Sequence, residues 1–228
     1  MPPAIATRGA TIAFLHTSAT HIETFDMLGA ELAPGLTLSH AVREDLLCAA
    51  LKAGGVTPAI ALDTHDALRA LAAGGPRAVV CTCSTLGAVA EEAAVASAVP
   101  MLRIDRPMAD LAVTSGRRIG IVASVASTLG ATKRLVEESG NRAGVSCEIS
   151  SFLFDDVWPA FQAGRLHDYY QAIAERLVEA AREADVLILA QASMAPAADL
   201  AGKLAIPVLS SPRTGFERAL AFAKAGAS

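Results

Sequence analysis

Aromatic side chains are scarce in this sequence, 4% of 228 residues with a single tryptophan and two tyrosines, so an interior built on large rings is excluded. Positive charge is never concentrated. No basic cluster is longer than Arg117-Arg118 or Lys133-Arg134, and the net charge is -4. Without a basic patch there is no electrostatic footprint for a nucleic acid or an anionic membrane, which leaves a small molecule as the expected partner. Long apolar runs are missing as well. Stretches such as Ala78 to Cys81 and Val186 to Ala190 fall far short of the roughly 20 residues that a bilayer span requires. The start MPPAIATRGA has neither the basic end, the apolar centre nor the cleavage site of a secretory signal, and a cytoplasmic location is expected.

Cysteine is rare, and its four positions, Cys48, Cys81, Cys83 and Cys147, lack the paired spacing of a zinc site. With no export signal they are expected to be reduced thiols rather than a disulfide framework. No Gly-x-Gly-x-x-Gly and no P-loop pattern occurs. The expectation is therefore no metal and no cofactor.

What the chain does have is apolar material, 53% of its residues, enough for one large domain or two small ones. Runs rich in Val, Ile and Leu at Thr11 to Leu15, Arg77 to Cys81, Pro100 to Ile104, Arg118 to Val122, Asp185 to Leu189 and Ile206 to Leu209 read as short buried strands. Weaker ones lie at Gly35 to Leu38 and Val145 to Ile149. Helical spacing fills the gaps at Ile22 to Leu32, Glu44 to Ala53, Asp66 to Ala72, Leu86 to Ala98, Thr128 to Glu138 and Leu166 to Glu183. Strand and helix in alternation predict an α/β fold with mostly parallel sheet flanked by helices.

The chain also repeats itself. Ile12 to Thr17 matches Ile119 to Ser124, and Ala98 to Leu102 matches Ala205 to Leu209, both pairs at an offset of 107 residues. Two pairs agreeing on one offset predict two pseudo-symmetric α/β lobes, residues 1-110 and 111-228, divided near Asp105 to Gly116, with the C-terminal helix able to cross back to the first. Parallel sheets take ligands at the carboxyl ends of their strands, so the site is expected in the cleft between the lobes.

Within AVVCTCSTLG, residues Ala78 to Gly87, Cys81 and Cys83 share one side of a strand, and only Cys83 reaches the strand's carboxyl end. Cys81 reads as core. Ser84, Thr85 and Gly87 then open a helix, whose unpaired N–H groups and dipole favour an anion, both a thiolate and a substrate carboxylate. Such a setting lowers a thiol pKa and makes Cys83 a candidate base or nucleophile; the alternative is an ordinary buried cysteine. Ser124, Ser127 and Thr128 repeat the strand-to-helix geometry in the second lobe and can hold a carboxylate, cap the helix, or both.

The runs VVCTCSTLG, RIGIVASVASTLGATKRLVEE and VLILAQASMA, in that order along a duplicated α/β chain, resemble the aspartate/glutamate racemase superfamily, which includes glutamate, aspartate and hydantoin racemases, maleate isomerase and arylmalonate decarboxylase. The resemblance covers essentially the whole chain. It implies catalysis without a cofactor on a small carboxylate-bearing substrate, a homo-oligomer (dimer), and a thiol at one strand end in each lobe, the two flanking the substrate's α-carbon. Cys83-Ser84-Thr85 matches the first thiol motif, so Cys83 inherits the catalytic role. The second is missing: the internal offset carries Cys83 to Ala190, and a one-residue slip to Gln191, and neither exchanges a proton. Thr17, Ser18, Ser84, Thr85, Ser124, Ser127, Thr128, Gln191 and Ser193 are the substrate-binding candidates.

Where glutamate racemases carry an aspartate after the first strand, this chain has His16-Thr17-Ser18. Glu23 and Asp26 read as the outer face of a helix. His16 and His21 lie near the expected pocket, where a lone histidine reads first as a hydrogen-bonded structural group and otherwise as a second base; His40, His65 and His167 have no motif around them. The region Phe152 to Trp158 and Tyr169-Tyr170 read as packing. A single thiol suits decarboxylation or other lyase chemistry, or isomerisation, better than two-base racemisation. The alternatives are a racemase with a second base other than cysteine, a carboxylate-binding protein without activity, and a thiol hydrolase with a histidine on Cys83.

Overall fold

The computed structural model describes residues 11–225. The N-terminal stretch read above for a secretory signal, residues 1–10, lies outside them. The chain separates into two units, one formed by the residues up to Ile104 together with those from Pro212 onward, the other by Asp105–Ser211.

In the first unit, β1 (Ile12–His16), β2 (Leu38–Val42), β3 (Ala78–Cys81) and β4 (Met101–Arg103) form a parallel sheet in the order β2-β1-β3-β4. The two central strands are buried throughout, which is why they read as continuous apolar runs in the sequence. Alternation then sorts their side chains. Ala13, Leu15, Val79 and Cys81 face α2 (Glu44–Ala53), α3 (Pro58–Ala72) and α4 (Gly87–Val95), while Ile12, Phe14 and Val80 pack with Phe25 and Leu28 of α1 (Thr20–Leu32). The last segment of the chain, Ser211–Ala225, belongs to this second layer: Phe216 lies on Phe14 and Phe25, and Arg213 pairs with Glu31.

In the second unit, β5 (Arg118–Ala123), β6 (Glu148–Leu153), β7 (Val186–Leu189) and β8 (Val208–Ser210) repeat the same parallel order, β6-β5-β7-β8. One face packs on α5 (Arg106–Ser115) and α6 (Ala126–Ala143), the other on α7 (Trp158–Gln162), α8 (Leu166–Ala180) and α9 (Ala195–Leu200); the closing segment Ser211–Ala225 is α10. The duplicated α/β fold is thus present as two four-stranded sheets of identical strand order.

The stretch expected to divide the lobes, Asp105 to Gly116, starts where the second unit starts and holds α5, with Pro107 preset in its first turn. Several element boundaries differ from the expected ones for local reasons. Helix α3 begins at Pro58 rather than Asp66, because Thr57 accepts a hydrogen bond from the Ile60 N–H and Pro58 occupies the first position. Strand β2 spans Leu38–Val42 instead of Gly35 to Leu38, and β6 spans Glu148–Leu153 instead of Val145 to Ile149. Both are half-exposed edge strands in which the apolar run does not mark the paired residues. Among the described residues no helix is long and apolar enough to cross a membrane.

Candidate active site

Strand order places a branch point in each sheet, at β1 and β3 in one unit and at β5 and β7 in the other, where successive connections leave in opposite directions. Carboxyl ends of strands at such a point are where open α/β sheets take ligands. Thr17 and Ser18 follow β1, and Cys83, Ser84 and Thr85 follow β3. In the second unit Ser124 follows β5, Gln191 and Ser193 follow β7, and Ser127 and Thr128 lie in the first turn of α6.

Cys83 has extended backbone and caps a 3₁₀ turn, Ser84–Leu86, that leads into α4. A 3₁₀ turn thus stands where the sequence predicted the start of the α-helix itself. Cys83 keeps 8% of its surface exposed, with Ser84 at 5% and Thr85 at 6%. Cys81 is wholly buried in the same cluster and donates to the Cys83 carbonyl. All four cysteines are thiols, Cys48 the exposed one. Beneath the turn, the buried Arg103 guanidinium lies 3.5 Å from both the Ser84 carbonyl and Glu91. It occupies the space a side chain at position 87 would need, since a Cβ there would stand 2.6 Å from it. The glycine of the thiol motif makes room for a cation.

Thr82 points to the opposite face of the sheet, where an unexpected chain of hydrogen bonds begins. Its Oγ1 lies 3.2 Å from the Leu15 carbonyl and 2.8 Å from His16 Nδ1. His16 Nε2 is 2.8 Å from His40 Nδ1, and His40 Nε2 is 3.1 Å from Asp26 Oδ1. Burial, and then the neighbouring His21 and His40, push the His16 pKa down to about 2, and burial lowers that of His21 to about 4. With both nitrogens engaged and no exposed surface, His16 has the place of a hydrogen-bonded structural group, the first of its two readings, rather than that of a base open to a substrate. Asp26 and His40, read from sequence as a helix surface and an isolated histidine, are members of the same chain.

In the second unit Gln191 stands where Cys83 stands in the first: two residues beyond the central strand, extended, and capping the 3₁₀ turn Ala192–Met194. Its Oε1 accepts from the Ser124 N–H at 2.7 Å and from the Ser124 hydroxyl at 2.9 Å. A backbone N–H can only donate, so the amide orientation is fixed, oxygen inward and NH₂ turned away. Ser124 Oγ then accepts from Tyr169 at 3.0 Å, and Tyr169 from Ser193 at 3.2 Å. Burial raises the Tyr169 pKa to about 12, keeping the phenol protonated as this order requires. Tyr169, read as packing, holds the network together; only its position opposite β5 could have signalled this.

At the start of α6 the capping position is Val125, with no side-chain cap. Of the two roles open to Ser127, capping is not the one it fills: its hydroxyl is buried with no partner among the described residues, while Thr128 beside it is 4% exposed. Ser18 turns to Thr20, 2.9 Å away. Trp158 stacks on Phe161, which meets Tyr169, so the aromatic stretch does pack helices. Among the described residues no group of three or more His, Cys, Asp or Glu side chains is arranged to hold a metal ion.

The sequence pattern of the family described as Asp/Glu/hydantoin racemase matches residues 30–219. The fold is similar to that of glutamate racemase from Bacillus anthracis, with 14% identity, TM-score 0.69, and 96% of this chain and 84% of that one covered. It is similar to that of an aspartate racemase homologue from Pyrococcus horikoshii OT3, at 15% identity and TM-score 0.67 over 94% and 99% of the two chains. Allantoin racemase from Klebsiella pneumoniae matches at 17% identity and TM-score 0.63 over 95% and 89%. At such identities the likeness shows the fold alone. No curated protein matches the chain by sequence.

Proposed function

The chain belongs to the Asp/Glu/hydantoin racemase family, and from that premise we propose that it is a cofactor-independent enzyme acting at the carbon next to a carboxylate of a small acid, with Cys83 as its single catalytic thiol. The observation that carries this reading is the pair of equivalent positions, thiol at Cys83 and amide at Gln191. Two-base racemisation needs a proton-exchanging group at both. An amide can bind and orient, but at neutral pH it neither gives nor takes a proton. Decarboxylation needs only one: the bond to the departing carboxylate breaks, CO₂ leaves, and its electron pair forms an enolate. The Cys83 S–H then protonates the α-carbon, and the thiolate regains its proton from solvent. Thr17, Ser18, Ser84, Thr85 and Thr128 would supply hydroxyl and N–H donors for the remaining carboxylate, with the Gln191 NH₂ as a further donor; Ser124 and Ser193, whose hydroxyls are spent inside the network with Gln191 and Tyr169, serve by orienting that amide, and the Ser127 hydroxyl stays buried.

The test uses prochiral disubstituted malonates. Turnover should give one dominant enantiomer, because the proton arrives from the Cys83 side only. The decarboxylases that this chain resembles keep the other thiol, so the product hand should be opposite to theirs when the substrate binds the same way round. Cys83→Ser should abolish turnover, and Gln191→Cys should add α-deuterium exchange by restoring a second base. Efficient exchange of solvent deuterium into both enantiomers by the unaltered protein would refute the one-thiol mechanism. The slight exposure of Cys83, 8%, is what favours a binding protein instead; a Cys83 inert to alkylation and to every acid tested would establish that reading.

A further inference from the structure

The chain from Asp26 to Thr82 has a property that its hydrogen-bond directions alone define. Thr82 carries one hydroxyl hydrogen and has two acceptors in reach, the Leu15 carbonyl at 3.2 Å and His16 Nδ1 at 2.8 Å. If the hydroxyl donates to Leu15, His16 Nδ1 must carry the hydrogen of its bond to Thr82, leaving Nε2 as an acceptor. His40 must then donate from Nδ1 to His16, and also from Nε2 to the Asp26 carboxylate. That arrangement requires an imidazolium at His40. If instead the hydroxyl donates to His16 Nδ1, then His16 donates from Nε2 to His40 Nδ1, and a neutral His40 donates from Nε2 to Asp26. The two arrangements use the same atoms and distances. They differ by one proton and by the direction of the two inner bonds.

We propose that Asp26, His40, His16 and Thr82 form a one-proton switch, through which His40 and His16 act as positioning residues for Cys83. Its coupling to catalysis rests on the reading of Cys83 as the reactive thiol. The solvent end is Asp26, whose side chain is 58% exposed, and His40 is 11% exposed, whereas His16 is wholly buried and Thr82 nearly so. A proton taken up at the surface is thereby reported inside the sheet, at the residue that precedes Cys83. The mechanical consequence is local. With His40 protonated, the Leu15 carbonyl receives both the Thr82 N–H, at 3.0 Å, and the Thr82 hydroxyl, tying the end of β3 to β1 by two bonds. With His40 neutral the hydroxyl turns to His16 and one bond remains.

Two observations set this chain apart from ordinary core satisfaction. The second unit builds the same sheet with Ala123, Ala190 and Ser151 at the equivalents of His16, Thr82 and His40, so the fold closes without the polar chain. The environment also directs the proton to one place. Of the two rings only His40 meets a carboxylate, Asp26 Oδ1 at 3.1 Å, while His16 is wholly buried between His40 and the Thr82 hydroxyl. The other titratable group facing the pair is His21 of α1, its ring centroid 6.1 Å from that of His16. Phe14 and Phe25 cover the ring faces. At the rim, Glu44 accepts from the Ala19 N–H and Arg43 is held by Asp45.

The test reads the imidazole nitrogens by ¹⁵N NMR across pH on the intact protein, together with the iodoacetamide alkylation rate of Cys83 followed by peptide mapping. His16 should exchange its Nε2–H tautomer for the Nδ1–H tautomer as pH falls, without becoming an imidazolium, at the midpoint at which His40 charges. The Cys83 rate should show a step at that same pH besides the thiol's own titration, roughly two- to ten-fold, the worth of about one hydrogen bond. Asp26→Asn, at an exposed position, should move both midpoints to lower pH together, by about half a unit for a solvent-facing partner. Thr82→Val should remove the Cys83 step and Thr82→Ser restore it. A His16 that keeps one tautomer across the His40 midpoint overturns the switch, and a Cys83 step that ignores Asp26→Asn overturns its coupling to the thiol. Both signatures in a protein that turns over no carboxylic acid would refute the catalytic reading and leave the switch standing.

Discussion

At the scale of single residues, the site depends on what one atom more or less would do. Gly87 has ordinary helical backbone, so its lack of a side chain serves space, with the Arg103 guanidinium 2.6 Å from where a Cβ would sit. Gly87→Ala should push the guanidinium off the Ser84 carbonyl and cost about 1–2 kcal/mol, at the low end for overpacking because the far end of an arginine can swing. Urea midpoints check the stability, and the Cys83 alkylation rate should change in the same variant. Gln191 makes the complementary point. Its oxygen is held by two donors of one serine, an arrangement that fixes where its NH₂ points and makes it a positioned donor where a thiol would be a proton exchanger.

At the scale of elements, α10 shows how a terminal helix is fixed to a sheet formed far earlier in the chain. Phe216 stacks on Phe14, Arg77 donates to the Ala223 carbonyl, and Gly215 brings the helix against Ile104, where a Cβ would stand 2.3 Å from the backbone oxygen. A carbonyl of a neighbouring segment cannot rotate away as a side chain can. Gly215→Ala should therefore destabilise the protein more than Gly87→Ala, by about 3 kcal/mol, seen as a larger drop in the urea midpoint. The opposite ranking would show that α10 docks loosely. The first strand-to-helix turn after β3 and its counterpart after β7 follow the same rule in a different chemistry, since each puts one side chain at a strand end on a 3₁₀ cap.

At the scale of the whole molecule, two histidines, wholly buried His16 and half-buried His21, govern the response to acid. His16 and His21 have folded-state pKa values of about 2 and about 4, below the 6.5 of an unperturbed histidine. Between these values the unfolded chain binds protons that the folded chain refuses, so stability is full above pH 6.5 and falls as the pH drops. Each such proton contributes a slope of about 1.4 kcal/mol per pH unit. Loss of stability should thus begin near pH 6, before the exposed carboxylates paired with arginines, Asp185, Asp156 and Asp45, are protonated; their lowered pKa values delay their own, smaller losses to stronger acid. Urea denaturation at steps from pH 7 to pH 4 measures the slope. A flat midpoint down to pH 4.5 would contradict the burial of both rings.

The repeated α/β plan and the place of the candidate thiol were legible in the sequence. Both are written locally: central strands are apolar runs because both their faces are covered, amphipathic spacing marks the long helices, and Cys83-Ser84-Thr85 lies on consecutive residues. Edge strands β2 and β6 were read as weak strands but placed too early along the chain, and the short helices α7 and α9 were not read, since half-exposed or one-turn elements leave too little period to read. The polar networks were decided by tertiary structure alone. Asp26, His40, His16 and Thr82 are brought together from α1, β2, β1 and the end of β3, and Ser124, Tyr169, Gln191 and Ser193 from β5, α8 and the turn after β7. Hydrogen bonds act over about 3 Å of space and are indifferent to separation along the chain, so no spacing in the sequence records which polar side chains the sheets will set face to face.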